Sequence, residues 1–419
     1  MEMCLVDRSN ENKTFTILNY QGSKKNLIDF IHEHVDNLID PTRAFLDIFS
    51  GTCSVGYSYK SNYQIYANDL EYYSYLIADA LLKNYSSDDI KNIIEDINSS
   101  FNILYKNQLL NYENWIMQEL RFIETNDIEN LIELYNKYPT IWNNISLDLD
   151  PSQYLLFTSY YAGNYFGICQ AIEIDCLRKL IDKYDKNLFS MLMSCLFFAM
   201  KNCVFAKDGH MAQPLSLSKN KDKLISKRKN SIVQNFFIKL EDFLSSDFVN
   251  TTYQNKAYNL DFEDLLNQQE IQDNVGLIYA DPPYTDMQYS RYYHLLNTIS
   301  KYDYQKPTFL KDNYTKGLYT EGRSQSLLSK KSCCLEHFNS LIDFSINYKK
   351  NLAISFAYPK DPLNQKTDRY VMSIDDLVGA CSQKFKKKNI EIVSTLYNHS
   401  NNRNAQSKKV LEYLILCKY

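Results

Sequence analysis

Apolar residues recur along the chain in two rhythms, and the rhythm changes twice. Near the start, Gly22 and Ser23 break "ILNYQGSKKNLIDFIHEHVDNLI", after which Leu27, Phe30, Ile31 and Leu38 fall at helical spacing until Pro41 ends the helix. In "RAFLDIFSGTCSVGYSY" the run from Ala44 to Phe49 predicts a strand. Gly51 opens a turn of small residues there, and a short helix follows. "YQIYANDLEYYSYLIADALL" repeats the unit: a strand around Ile65 to Ala67, an acidic turn at Asn68 and Asp69, then a helix. Strand, turn and helix in series predict an α/β fold with a parallel sheet.

From about 85 to 250 the texture turns helical. "DDIKNIIEDINSSFNILYKNQL", "NWIMQELRFIE" and "DIENLIELYNKY" carry helical periods and few strand signals. This stretch ends on the densest charge run, "SKNKDKLISKRKN" (218–230). Alternation of strand and helix then resumes at "KAYNLDFEDLL", "NVGLIYADPPY", "NLAISFAYP", "IEIVSTLYNHS" and "VLEYLILCKY". The expected organisation is an α/β unit in two parts, 1–84 and 251–419, interrupted by a helical insertion at 85–250.

Composition narrows the class. With 419 residues, 45% hydrophobic and 23% charged, the chain can bury a sizeable core and is not broadly disordered. A net charge of −4 argues against a generally basic coat, though not against a local basic groove. None of the ten cysteines forms a C-x-x-C pair or stands at zinc-like spacing with a histidine, so no metal is expected. The start, "MEMCLVDRSNENK", lacks the basic and apolar regions of a signal peptide. The apolar stretch near "MLMSCLFFAM" is too short to span a bilayer. The reading is a cytoplasmic protein with reduced, buried thiols and no membrane partner.

Three loops leave predicted strand ends with unusual chemistry, and ligands of open α/β sheets bind beyond such ends. The small residues from Gly51 to Ser54 let backbone approach a ligand closely. Asp69, eighteen residues after Gly51, suits a ribose diol. The full G-x-G-x-x-G phosphate pattern is absent, which favours a nucleoside over a dinucleotide. In "ADPPY" (280–284), Asp281 and the Pro282 carbonyl can accept hydrogen bonds from one NH2 group while the proline rings limit flexing. Tyr284 can stack on the ring that bears the amine. An aromatic amine is a poor nucleophile because its lone pair is delocalised. Two acceptors on its hydrogens favour the pyramidal, nucleophilic form, which is catalysis by positioning and electrostatics.

"YQGSK" (20–24), "DIFSGTCSVG" (47–56), "YANDLE" (66–71), the insertion and "ADPPY" follow one another in the order of a known family. The chain resembles the Dam-like α class of S-adenosylmethionine-dependent N6-adenine DNA methyltransferases. "DPPYTDMQYSRYYHLLNTI" and "AGNYFGICQAIEIDCLRKLI" bring it nearest to the FokI-type restriction–modification methyltransferases. The resemblance implies a class I methyltransferase fold, a Rossmann-like sheet with a mostly helical target-recognition insertion. It implies methyl transfer from S-adenosylmethionine to a flipped adenine in double-stranded DNA, with S-adenosylhomocysteine as the other product and no metal. It also allows a cognate restriction endonuclease as partner. By the same resemblance Tyr20, Gly22 and Lys24 lie near the methionine end of the cofactor. Asp47, Phe49 and Gly51 line its centre, Asp69 takes the ribose, and Asp261 and Phe262 flank the adenine. Asp281, Pro282, Pro283 and Tyr284 receive the target base. The basic run offers Lys221, Lys223, Lys227, Arg228 and Lys229 for DNA phosphates.

One departure stands in the glycine turn. The family has F-x-G-x-G there, and this chain has Phe49-Ser50-Gly51-Thr52-Cys53. Cys53 can tolerate the cofactor if its backbone stays at negative φ, or it can weaken cofactor affinity. Taken singly, the site residues also have plain structural roles. Asp69 and Asp261 can cap helices, Lys24 can be a solvated lysine, and the basic run can be a wet surface. His210 and His294 read as structural hydrogen-bonding groups, since amine methylation needs no histidine base. Tyr289, Arg291 and Tyr292 suit a base pocket or a packed helix start. Cytosine N4 or RNA as the target, or a non-catalytic DNA-recognition subunit, remain the rival readings.

Overall fold

The computed structural model describes residues 15–18, 22–141, 150–207, 210–286, 288–310, 313–397 and 410–419. Seven strands form one sheet: β1 (Ala44–Asp47), β2 (Ile65–Asn68), β3 (Lys256–Tyr258), β4 (Val275–Ala280), β5 (Asn351–Pro359), β6 (Ile390–Tyr397) and β7 (Val410–Cys417). Their spatial order is 3-2-1-4-5-7-6. Neighbours are parallel except β7, which runs antiparallel between β5 and β6. Two further two-residue strands, Phe309–Leu310 and Asn313–Tyr314, form a separate ribbon.

Strand side chains alternate between two buried faces, as a pleated backbone requires. Phe45, Ile65, Leu277 and Tyr279 pack on one face; Leu46, Tyr66, Ile278 and Ala280 pack on the other. That is why β4, "VGLIYA", is apolar throughout: both faces are covered. On the first face lie α1 (Ile28–Val35), α2 (Ser54–Tyr59) and α3 (Tyr72–Leu82). Next in the chain come α4 (Ser87–Glu124), α5 (Ile128–Lys137), α6 (Leu156–Tyr160), α7 (Ile168–Ile181), α8 (Lys186–Cys203), α9 (Lys221–Arg228) and α10 (Ile232–Asp242). Beyond β3 follow α11 (Phe262–Leu266), α12 (Gln269–Asn274), α13 (Tyr289–Tyr292), α14 (His294–Lys301), α15 (Cys334–Asn347) and α16 (Ile374–Lys384). Phe262, Phe338 and Leu377, from α11, α15 and α16, cover the second face. This is the Rossmann-like, parallel-rich sheet with helices on both faces that the sequence predicts.

The helices from α4 to α10 do not hang apart from the sheet. Through α8, which packs on α3, they share one continuous apolar core with its first face. The two helical patterns around 88–109 and 114–124 join into the single 38-residue α4, about 57 Å long at 1.5 Å per residue. Ser86 caps its start by accepting the Asp89 N–H. No helix among the described residues is long and apolar enough to cross a membrane.

From β1 the strand order runs outward in both directions, to β2 and β3 on one side and to β4 and β5 on the other. The chain therefore leaves β1 and β4 in divergent directions at their carboxyl ends, and a crevice opens there. It is at this crevice that Asp47 and Asp281 emerge.

Candidate active site

Asp47 ends β1 fully buried, its Oδ2 accepting the Gly56 N–H at 3.0 Å. The turn that follows contains two left-handed residues, Gly51 (φ +52°) and Cys53 (φ +56°). Cys53 therefore does not meet the negative-φ condition under which it would leave the cofactor undisturbed. Its N–H closes the turn onto the Ser50 carbonyl at 2.6 Å, and its own carbonyl starts α2 by accepting from Tyr57 at 2.9 Å. Both bonds together hold the left-handed geometry, which costs a side-chain-bearing residue about 1–2 kcal/mol.

Asp69 follows β2 and ties two loops together. It accepts the Gly51 N–H through Oδ2 and the Glu71 N–H through Oδ1, each at 2.8 Å. It is not the cap of α3, whose N-cap is Glu71 with no side-chain bond. Asn68, read from the sequence only as part of the acidic turn, holds a third loop: its amide donates to the Ile48 and Leu260 carbonyls and accepts from the Leu260 N–H. Asp261 does cap a helix, accepting from Glu263 N–H at 3.0 Å, while it also faces the cleft. Beside it Phe262 meets Phe49 edge-on, ring centres 5.5 Å apart.

The loop after β4 is clamped. Tyr284 accepts the Val371 N–H through its carbonyl, and its ring lies offset over Tyr370 at 6.2 Å. Pro282 is buried. Asp281 is 18% exposed, and its Oδ1 sits 2.9 Å from the Lys24 ammonium. Lys24 is not a solvated lysine: it is 4% exposed and also lies 3.1 Å from Glu412 Oε1 on β7. Glu412, which no sequence motif marked, is 1% exposed and accepts the Ser355 hydroxyl at 2.6 Å.

Burial sets the electrostatics. It pushes the carboxyls of Asp47 and Asp69 up to about 7. Burial also raises Asp281, against the pull of Lys24. For Lys24, burial alone would lower the ammonium; Asp281 and Glu412 together prevail and hold it well above the ordinary lysine range. One cleft thus collects Gly22, Lys24, Asp47, Phe49, Gly51, Asp69, Asp261, Phe262, Asp281, Pro282, Pro283 and Tyr284. Tyr20 lies outside the described residues. Acceptors for a diol, apolar rings for a base, and a carboxylate beside a proline carbonyl line this one cleft, a set that fits a charged nucleoside and a second, amine-bearing ring. Among the described residues no group of His, Cys, Asp and Glu is placed to hold a metal ion.

The basic run lies elsewhere, and there the sequence reading of Arg228 needs correction. Arg228 is not a phosphate ligand at the surface. Its side chain is 5% exposed, and the guanidinium donates to Tyr135 Oη at 3.0 Å, the Asn164 carbonyl at 3.1 Å, and the Tyr165 carbonyl and Gln170 Oε1 at 3.4 Å. Leu224, Ile225 and Arg228 share the inner face of α9, so helical spacing turns this arginine inward. Lys227 donates to the Asn202 carbonyl at 2.6 Å, Lys229 to Asn126 Oδ1 at 3.2 Å, and Lys221 pairs with Glu129. Lys223 is half-buried on the same helix. His294 is buried with Nε2 3.2 Å from Tyr165 Oη, and burial lowers it to about 3; His210 is lowered to about 4 by the same cause. Arg291 and Tyr292 lie on α13 with Tyr292 against the His210 ring; the Tyr289 side chain is outside the described residues.

Comparison with known proteins bears on the family of the chain. The family model described as D12 class N6 adenine-specific DNA methyltransferase matches residues 20–346. Type II methyltransferase M.FokI of Planomicrobium okeanokoites is 27% identical over 334 residues, covering 78% of this chain and 42% of the relative. Modification methylase StsI of Streptococcus sanguinis is 27% identical over 291 residues, 68% of this chain and 36% of the relative. Type II methyltransferase M.NlaIII of Neisseria lactamica is 25% identical over 303 residues, 68% of this chain and 70% of the relative. The chain thus spans about two fifths of the length of the FokI and StsI relatives.

Proposed function

Because the chain belongs to the D12 class of N6 adenine-specific DNA methyltransferases, we propose that it methylates the N6 amine of a specific adenine in duplex DNA, using S-adenosylmethionine. The observation that carries the proposal is the meeting of Asp281-Pro282-Pro283-Tyr284 with Asp69 in one cleft at the reversal point of the sheet. The cofactor's ribose would be held by Asp69, its adenine between Asp261 and the Phe49–Phe262 pair, and its methionine end near Gly22, Lys24 and Asp47. Tyr20 is assigned to that end by resemblance alone. When bound, S-adenosylmethionine supplies a methyl group made electrophilic by the adjoining sulfonium, so the chemistry needs no metal.

The protein's own contribution is to orient the amine. Asp281 and the Pro282 carbonyl accept its two hydrogens and localise the lone pair on nitrogen. Pro283 stiffens the loop, and Tyr284 stacks on the adenine, returning roughly 1–3 kcal/mol of the few kcal/mol that extrusion from the helix costs. Asp281 is also the nearest group able to receive the proton that the methylated amine sheds. We assign 85–250 as the target-recognition segment inserted between the catalytic parts 1–84 and 251–419. Lys221, Lys223, Lys227 and Lys229 remain its candidates for phosphate contact. A cognate restriction endonuclease is the partner such a mark would protect against.

Sequencing DNA from cells that express the chain, with detection of modified bases, tests the proposal. It predicts N6-methyladenine at one short sequence motif. DNA without any added modification, or with N4-methylcytosine instead, refutes it.

A further inference from the structure

A carboxylate inside a strand is costly to bury unless it is paired. Glu412 interrupts the apolar β7 run "VLEYLILC" and is 1% exposed, yet it is incompletely satisfied. Oε1 takes Lys24 at 3.1 Å and Ser355 at 2.6 Å, while Oε2 has no hydrogen-bond partner among the described residues. Lys24 stands between Glu412 and Asp281, and only Lys24 and Asp281 reach the cleft. One ammonium therefore serves two carboxylates, one facing the target base and one hidden behind it.

We propose that Glu412 is a positioning residue that governs the basicity of Asp281 by sharing Lys24 with it. The inference rests on the methyltransferase reading of the cleft. While the adenine amine is being oriented, Asp281 is ionised and Lys24 lies between both acids. When the methylated amine releases its proton, the N–H bond breaks with its electron pair left on nitrogen, and an O–H bond forms on Asp281. The Lys24 charge, released by the neutralised Asp281, remains paired with Glu412 and stays in place. Without Glu412, Lys24 would bind Asp281 alone and hold it as a weaker base. Burial is the main cause that raises Asp281; Lys24 lowers it and Glu412 pushes it up again, the sense this division requires.

Other groups bear on the same three charges: Asp47 from β1 and Tyr279 from β4 on Asp281, Tyr284 from the loop after it on Lys24, and Tyr370 on Glu412. The substitution must therefore be read as a displacement relative to wild type. Single-turnover methyl transfer to unmethylated genomic DNA, at saturating S-adenosylmethionine with a labelled methyl group, gives the rate as a function of pH. In Glu412→Gln the acid limb moves down by about one pH unit, since an unshared cation a few ångströms away lowers a carboxyl by that order. In Lys24→Gln, Asp281 faces Glu412 without the cation and the limb moves up, so the pair gives opposite displacements. A merely structural Glu412 would lower the folded fraction and leave the limb in place. An active wild type whose limb ignores Glu412→Gln overturns the assignment alone. Should that variant not fold, an unmoved limb in Lys24→Gln overturns it. A wild type that leaves adenine unmethylated refutes the proposed function, and this assignment with it.

Discussion

Two clusters of buried charge lie in this molecule, and they are built differently. In the helical segment, Glu119 accepts from Tyr135 Oη at 2.6 Å and from the Ile168 and Cys169 N–H groups at 2.7 and 2.8 Å, and so caps α7. Arg228 donates to the same Tyr135 and to three neighbouring acceptors. Every charge there is enclosed and answered. At the strand ends, Lys24, Asp281 and Glu412 form a chain with one cation for two acids, one end open to the cleft and one oxygen unanswered among the described residues. Burial of charge alone does not mark function. A cluster that is closed holds helices together; a cluster that is short of partners and open on one side is ready for a ligand.

Substitutions can break or sharpen that contrast. Asp281→Ala should lower single-turnover methyl transfer by about 10³-fold or more, the scale of losing a preorganised electrostatic contact. Cofactor affinity measured by calorimetry should stay close to wild type. Arg228→Ala should instead act on stability, by about 3 kcal/mol, because buried acceptors lose their donor. Denaturant unfolding would show the loss, and the rate per folded molecule should be little changed. A large rate loss with intact stability would place Arg228 in the wrong cluster. Next in size is a pH effect at Asp69. Its carboxyl is held up to about 7, and only the ionised form accepts from both hydroxyls of a diol. Cofactor affinity should therefore be full above pH 7 and fall severalfold as pH drops below it; a flat profile in calorimetry would separate Asp69 from the ribose. The smallest effect is at Cys53. Cys53→Gly should be more stable than Cys53→Ala by about 1 kcal/mol, because only glycine enters the left-handed region freely. Equal melting curves for the two variants would deny the strain.

Much of the fold was legible because strands buried on both faces must be apolar throughout, as "VGLIYA" is. The loops were legible for the converse reason: an acid directly after such a run, at Asp69 or Asp281, breaks the apolar pattern and must answer to other polar groups, here backbone N–H groups and Lys24. Glu412 escaped notice although it left a trace, since a lone acid within "VLEYLILC" is what a buried ion looks like in sequence. Its partner, though, is 388 positions away in Lys24, and only the fold joins them. Arg228 misled because a run of like charges reads as surface, while its spacing from Leu224 and Ile225 points inward. The left-handed φ of Cys53 was hidden because a cysteine in that position contradicts local preference, and the turn's hydrogen bonds override it.

The central claim is that Asp281 and the Pro282 carbonyl grip one nucleobase amine. A crystal structure with S-adenosylhomocysteine and target DNA bound tests it most directly. The extruded adenine is predicted to stack on Tyr284, with N6 within hydrogen-bonding distance, about 3 Å, of both an Asp281 carboxylate oxygen and the Pro282 oxygen. An extruded adenine whose N6 meets other groups, with Asp281 turned away toward Lys24, would contradict the account.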